Sequence, residues 1–156
     1  MRSERLTAEY NAALAALIRK SLKAHRLDIP GTVYFDAGLD DLSSYYDRPG
    51  RAYFVLLEDE RLAGGIGLAE IGVFPACCEL QKLYLDEAFQ GHGLGYGRID
   101  RIESEAKKLG YHRVYLETHT NLQAAIHIYE KSGYRQIARP DGVVHGTMNR
   151  FYLKTL

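Results

Sequence analysis

The sequence predicts an α+β (mixed α/β) sandwich, a mainly antiparallel sheet with helices laid on its faces. Three observations carry that prediction. Residues 52–57, 79–85, 114–118 and 150–154 are short runs, apolar or alternating, rich in aliphatic and aromatic side chains, as strands are. Residues 95–109 and 121–132 instead repeat their apolar positions at helical spacing, and a glycine closes each, Gly110 and Gly133. The first two long strands are separated only by Asp59-Glu60-Arg61, a link short enough to demand an antiparallel turn.

Taken in order, residues 2–6 read as a short first strand. Thr7 is expected to cap a helix that puts Ala13, Leu14, Leu17, Ile18, Ser21 and Leu22 on one side and ends in a basic turn, as the helix dipole favours. Pro30-Gly31 is a turn, and Leu39 to Tyr46 form a short amphipathic helix stopped by Pro49-Gly50. Ala52 to Leu57 and Leu62 to Val73 make the antiparallel pair, with Gly64, Gly65 and Gly67 marking a bulge or a close backbone approach. From Glu79 to Leu85, alternation puts Glu79, Gln81, Leu83 and Leu85 on one face. Gly95, Ile99, Ile102, Ala106 and Leu109 line one side of a long helix, Val114 to Thr118 form a strand, and Asn121 to Ser132 a second helix. Tyr134 to Ala138 and Arg150 to Lys154 are the last strands, joined by a polar loop.

A chain of 156 residues suits a single domain spanning 1–156, and burying roughly two thirds of the unfolded surface provides an independent core. Twenty basic residues balance twenty acidic ones, which argues against electrostatic capture of nucleic acid or an anionic membrane. Residues 28–60 hold eight acidic residues against two arginines, a bias that suits a solvated acidic face. Cys77 and Cys78 are adjacent, so they are poorly placed for one disulfide and make no metal site; a reducing, cytoplasmic setting and no metal are expected. The start lacks an apolar leader-like segment, and no run approaches the ~18 apolar residues of a membrane span.

The stretch Gln90-Gly-His-Gly-Leu-Gly-Tyr-Gly97 places four glycines between a strand and a helix, where unpaired amides and the helix dipole suit a phosphate. It is not a P-loop, because Arg98 and Ile99 stand where Lys and Ser or Thr are required. It is not the dinucleotide fingerprint, whose third glycine position holds Tyr96 or Arg98. What remains is Gln-x-x-Gly-x-Gly, met by Gln90, Gly93 and Gly95.

That pattern resembles the pyrophosphate loop of the GNAT superfamily of acyl-CoA-dependent N-acyltransferases. The later block from Asn121 through Ala124-Ala125 and Tyr129 to Gly133 resembles the same superfamily's second signature segment, so the likeness covers residues 79–135. More loosely, residues 31–36 and 145–154 resemble a subgroup of small bacterial members. The resemblance implies a twisted sheet splayed in the middle with acyl-CoA in the splay, acetyl-CoA as cosubstrate, and direct transfer to a small-molecule or peptide amine. Homodimers are common in the family.

Residue by residue, the resemblance implies that Leu83 and Leu85 offer backbone groups to the acyl and pantetheine arm. Gln90, Gly91, His92, Gly93, Leu94 and Gly95 would hold the pyrophosphate, and Asn121 would bond the pantetheine or phosphate region, unless it is an ordinary helix cap. Gly91 and His92 occupy places where Arg or Lys is customary, so CoA affinity would be lower, or would depend on pH through His92, with Arg98 as an outer contact. Tyr129 would donate its hydroxyl to the leaving thiolate, and core packing of its ring is compatible with that role. An alkylammonium is protonated at pH 7, so a base must act; Glu79 is the first candidate, with Glu117, His119 or a water chain as alternatives. His145 is a candidate for acceptor binding. A different class stays open beside these, an acyl-CoA-binding regulatory or partner-binding module without turnover.

Overall fold

The computed structural model describes residues 1–143 and 146–156. Strands β1 (Arg2–Arg5), β2 (Ala52–Glu58), β3 (Arg61–Glu70), β4 (Cys77–Leu85), β5 (Arg113–Thr118), β6 (Arg135–Ile137) and β7 (Arg150–Thr155) form one open sheet in the order β1-β2-β3-β4-β5-β7-β6. Helices α1 (Asn11–Ala24), α2 (Leu42–Tyr46), α3 (Leu94–Lys108) and α4 (Gln123–Lys131) flank it. Every neighbouring pair is antiparallel except β4 with β5. The fold is the expected α/β sandwich.

The two faces carry separate cores. On one, Leu14, Ile18 and Leu22 of α1 and Leu42 and Tyr46 of α2 pack with Tyr53, Val55 and Leu57 of β2. On the other, Ile99, Ile102 and Ala106 of α3 and Tyr129 of α4 pack with Phe54, Ile66, Leu80, Val114 and Leu116. Side chains alternate across β2, so Tyr53 and Phe54 serve opposite cores, and truncating Leu22, 1 % exposed, to alanine would cost about 2–5 kcal/mol.

Three local expectations need correction. Thr7 precedes a 3-10 turn, Ala8–Tyr10, and its hydroxyl donates to Glu9 at 3.1 Å rather than capping a helix; α1 starts at Asn11, and it buries Ala15 where Ala13 was expected. β3 ends at Glu70, three residues early, and residues 71–74 turn to cover Cys77 and Tyr115. The third correction concerns β4. Gly65 faces Tyr84 and Gly67 faces Gln81, so Lys82 and Leu83 together stand opposite the single residue Ile66. That is a β-bulge, and Lys82 takes its left-handed backbone conformation at φ 50°. The extra residue reverses the alternation: Leu83 packs with the α3/α4 core beside Leu80, while Tyr84 joins Tyr46 and Tyr53 on the α1/α2 side. Glu79 and Leu83 therefore do not share a face.

Gly65 and Gly67 do mark a close approach, because a Cβ on either would run into the Tyr53 ring. Among the described residues, no helix is long and apolar enough to cross a membrane.

Candidate active site

β4 and β5 are paired only over Cys77–Glu79 and Arg113–Tyr115, so from Leu80 onward the two parallel strands run apart. The divergence opens a cavity of about 1130 Å³ between them, lined by both strands, the residue 90–95 loop, α4 and the segment following α1. Its volume exceeds the ~300–1,000 Å³ typical of a small-ligand pocket, enough for a long cosubstrate arm and a second substrate.

At one end lies the glycine loop. Gly91 and Gly93 have φ 79° and 71°, which glycine adopts without a Cβ clash, and Gly93 is the residue on which α3 begins. The backbone N–H groups of residues 91–95 donate to no acceptor among the described residues. Together with the dipole of the 15-residue α3, they make an end of the cavity suited to an anion. Gln90 fixes the loop: its side-chain amide donates to the Leu85 carbonyl at 3.1 Å and holds the loop to the end of β4. Gly95 has another role, since a Cβ there would lie 2.5 Å from Ile128 Cδ1; its absence lets α3 and α4 close up.

The predicted residues divide clearly. Glu79, Leu83, Leu85, Gln90, Gly91, Gly93, Leu94, Gly95, Glu117 and Tyr129 all line the cavity. His92 is exposed outside the lining, so what it offers a ligand is its backbone N–H. Asn121 also stands outside; it precedes α4 without capping it, and its amide donates to the His25 carbonyl at 3.0 Å, tying the start of α4 to the end of α1. His119 lies beyond the end of β5, where its Nδ1 accepts the Asn121 N–H at 3.0 Å. Arg98 is no outer contact: it is 8 % exposed, its guanidinium donates to the Leu94 carbonyl at 2.8 Å, and burial lowers its pKa to about 10. His145 falls outside the described residues.

Tyr129 is buried in the wall, its ring set against Tyr134 and Tyr152 at 6.0 and 6.4 Å. Burial pushes its phenol well above the ordinary range, so the hydroxyl stays protonated and remains a donor. Across the divergence, Glu79 accepts from Gln81 Nε2 at 2.9 Å, and Gln81 Oε1 accepts from Tyr46 at 2.8 Å. Glu117, two residues beyond Tyr115, accepts from the Tyr115 hydroxyl at 3.0 Å. Carboxylates therefore occupy the α1/α2 side and a phenol donor the α4 side.

The description of the acetyltransferase (GNAT) family matches residues 16–134, well over half of the chain. The chain belongs to that family. Among curated relatives of this GNAT protein is the uncharacterised N-acetyltransferase YjgM of Escherichia coli K12, 36% identical over 135 residues, which are 85% of this chain and 81% of that one. Among solved structures, a GNAT-family acetyltransferase from Staphylococcus aureus Mu50 superposes with TM-score 0.84 at 20% identity, over 99% of this chain and 98% of the other. YncA from Salmonella typhimurium, solved with its cofactor acetyl-CoA, superposes with TM-score 0.77 at 19% identity, over 99% and 93%. These likenesses establish the fold, and within it the GNAT chain described here has features of its own.

One of them escaped the sequence reading. Lys82, at the bulge, lines the cavity with its ammonium over the rings of Tyr45 and Tyr46 at 5.7 and 5.9 Å, and burial lowers its pKa while Asp36 and Glu79 oppose the shift. The signal was the pair Gln81-Lys82, two successive polar residues inside an alternating strand, which is how an extra residue registers in a two-residue period.

Proposed function

We propose that this protein transfers the acetyl group of acetyl-CoA to a primary amine, directly and within a ternary complex. The observation that carries the reading is the divergence of β4 from β5, with unpaired amides at one end of the resulting cavity and Tyr129 and Glu79 on its walls. Acetyl-CoA, when bound, supplies the acetyl group as a thioester. The amides of residues 91–95 hold its pyrophosphate, and Leu83 and Leu85, on the strand edge that β5 leaves uncovered, offer backbone groups to the pantetheine arm. Glu79 takes a proton from the incoming ammonium, directly or through water, leaving a nitrogen lone pair to form the new C–N bond. As the C–S bond breaks, Tyr129 holds the proton that the departing sulfur takes up. The amine's second proton restores the Tyr129 hydroxyl and Glu79 passes the first to solvent, so one proton is released per turnover.

A covalent route through cysteine finds no support. Burial raises the thiols of Cys77 and Cys78 to about 11 and about 12, and neither lines the cavity. The carboxylates of Glu79, Glu117 and Asp36 in the lining support a cationic amine as the acceptor.

The test is thiol release from acetyl-CoA across a panel of amines. Amine-dependent release is expected, and Tyr129→Phe should lower turnover roughly 10²-fold with acetyl-CoA binding nearly kept. Slow hydrolysis that no amine stimulates would instead favour an acyl-CoA-binding regulatory module.

A further inference from the structure

The acceptor end of the cavity carries both signs of charge. Asp36, Glu79 and Glu117 supply carboxylates, and Lys82 supplies an ammonium within the same lining. Among the described residues, Lys82 takes part in none of the ion pairs, and aromatic rings face it instead. Its position is also imposed by the backbone. The bulge gives Lys82 a left-handed conformation, and the Tyr53 hydroxyl fixes its carbonyl from below at 2.8 Å. Holding a half-buried lysine this way is costly to the fold, by strain and by partial desolvation, and an anion from the substrate would offset the second cost.

The cofactor's phosphates are poor candidates for that anion. Lys82 sits on the α1/α2 side against Tyr45 and Tyr46, whereas residues 91–95 already offer a pyrophosphate unpaired amides at the loop. A polyamine would suit the carboxylates but not the lysine. A zwitterion suits both.

Resting on the acetyl-transfer reading above, we propose that the acceptor is an amine bearing a nearby carboxylate, an α-amino acid or a close derivative, and that Lys82 receives the carboxylate. Glu79 then faces the ammonium three residues along the same strand. The rings of Tyr45 and Tyr46, in edge contact with each other, stand against the lysine ammonium at 5.7 and 5.9 Å.

The experiment compares α-amino acids with their amides and their decarboxylated amines in the thiol-release assay. In the native protein, kcat/KM for the acid should exceed that for the decarboxylated amine by roughly 10- to 10²-fold, the scale of a hydrogen bond to a charged group. Lys82→Met should bring that ratio near one, whereas Lys82→Arg should keep most of it, with melting temperatures confirming that both variants fold. A native protein without preference for the acid, or a ratio unchanged by Lys82→Met, overturns the proposal. Failure of acetyl transfer itself would show separately, as no release with any amine. The carboxylate contact is then read by calorimetry with N-acetylated amino acids and CoA: binding by the native protein but not by Lys82→Met upholds it, and binding by neither or by both overturns it.

Discussion

The two ends of the cavity are built from different materials. The end at residues 90–95 is backbone: amides, two left-handed glycines and a helix terminus, with Gln90 clipping the loop to β4. The end at Glu79, Lys82 and Glu117 is side chain, a set of charges brought by a bulged strand, its parallel neighbour and the segment after α1. On the proposed reading, backbone donors would meet what all acyl-CoA ligands share, whereas side chains can be exchanged without disturbing the loop. Common chemistry would thereby be separated from selectivity along a single strand.

Changes at each end should therefore give separable defects. The largest is expected for Glu79→Gln, with kcat/KM down roughly 10²-fold near pH 7 and a smaller deficit at high pH, where the amine loses its proton unaided; acetyl-CoA affinity should hold. A deficit that stays constant with pH would remove Glu79 as the base. Gly93→Val should do the converse. A β-branched residue in the left-handed region costs about 1–2 kcal/mol, so calorimetry should show acetyl-CoA binding weakened about tenfold, without altered preference among amines.

A finer test uses stability. Burial holds the folded pKa of Lys82 below its unfolded value of 10.5, so between those two values the unfolded chain binds more protons and stability rises with pH. The penalty of the buried charge is present at neutral pH and fades as pH approaches 10.5. The melting temperature of Lys82→Met relative to native protein should therefore be most favourable near pH 7 and decline toward alkaline pH; a flat difference would mean that the ammonium is effectively solvated. The smallest effect is expected for Asn121→Ala. Loss of one exposed hydrogen bond to His25 should lower stability by about 1 kcal/mol or less and leave acetyl-CoA affinity unchanged, and a clear loss of affinity would return Asn121 to the cofactor site.

How much of this was legible follows the same division. Gln90, Gly93 and Gly95 lie within six residues of one another, and each is required by local geometry, so the loop and the strand and helix around it could be read from the chain. Tyr129 was legible because helical spacing placed it on the packed face of α4. The acceptor end was not, for two reasons. Asp36, Tyr45 and Lys82 join the candidate bases Glu79 and Glu117 only through the fold, and the bulge at Lys82 reverses the two-residue period of β4. His119 and Asn121 stand outside the cavity lining for a related reason: both are polar residues beside a strand end, and they are bonded to each other and to the His25 carbonyl.

The Tyr53 ring fits beneath Lys82 only because residues 65 and 67 on the adjoining strand have no side chains. Those two glycines lie outside the cavity lining, yet they set the height at which the lysine stands. In a scan of every position for altered choice of amine, Gly65 and Gly67 should register beside Lys82, as remote determinants of selectivity that act by giving up volume.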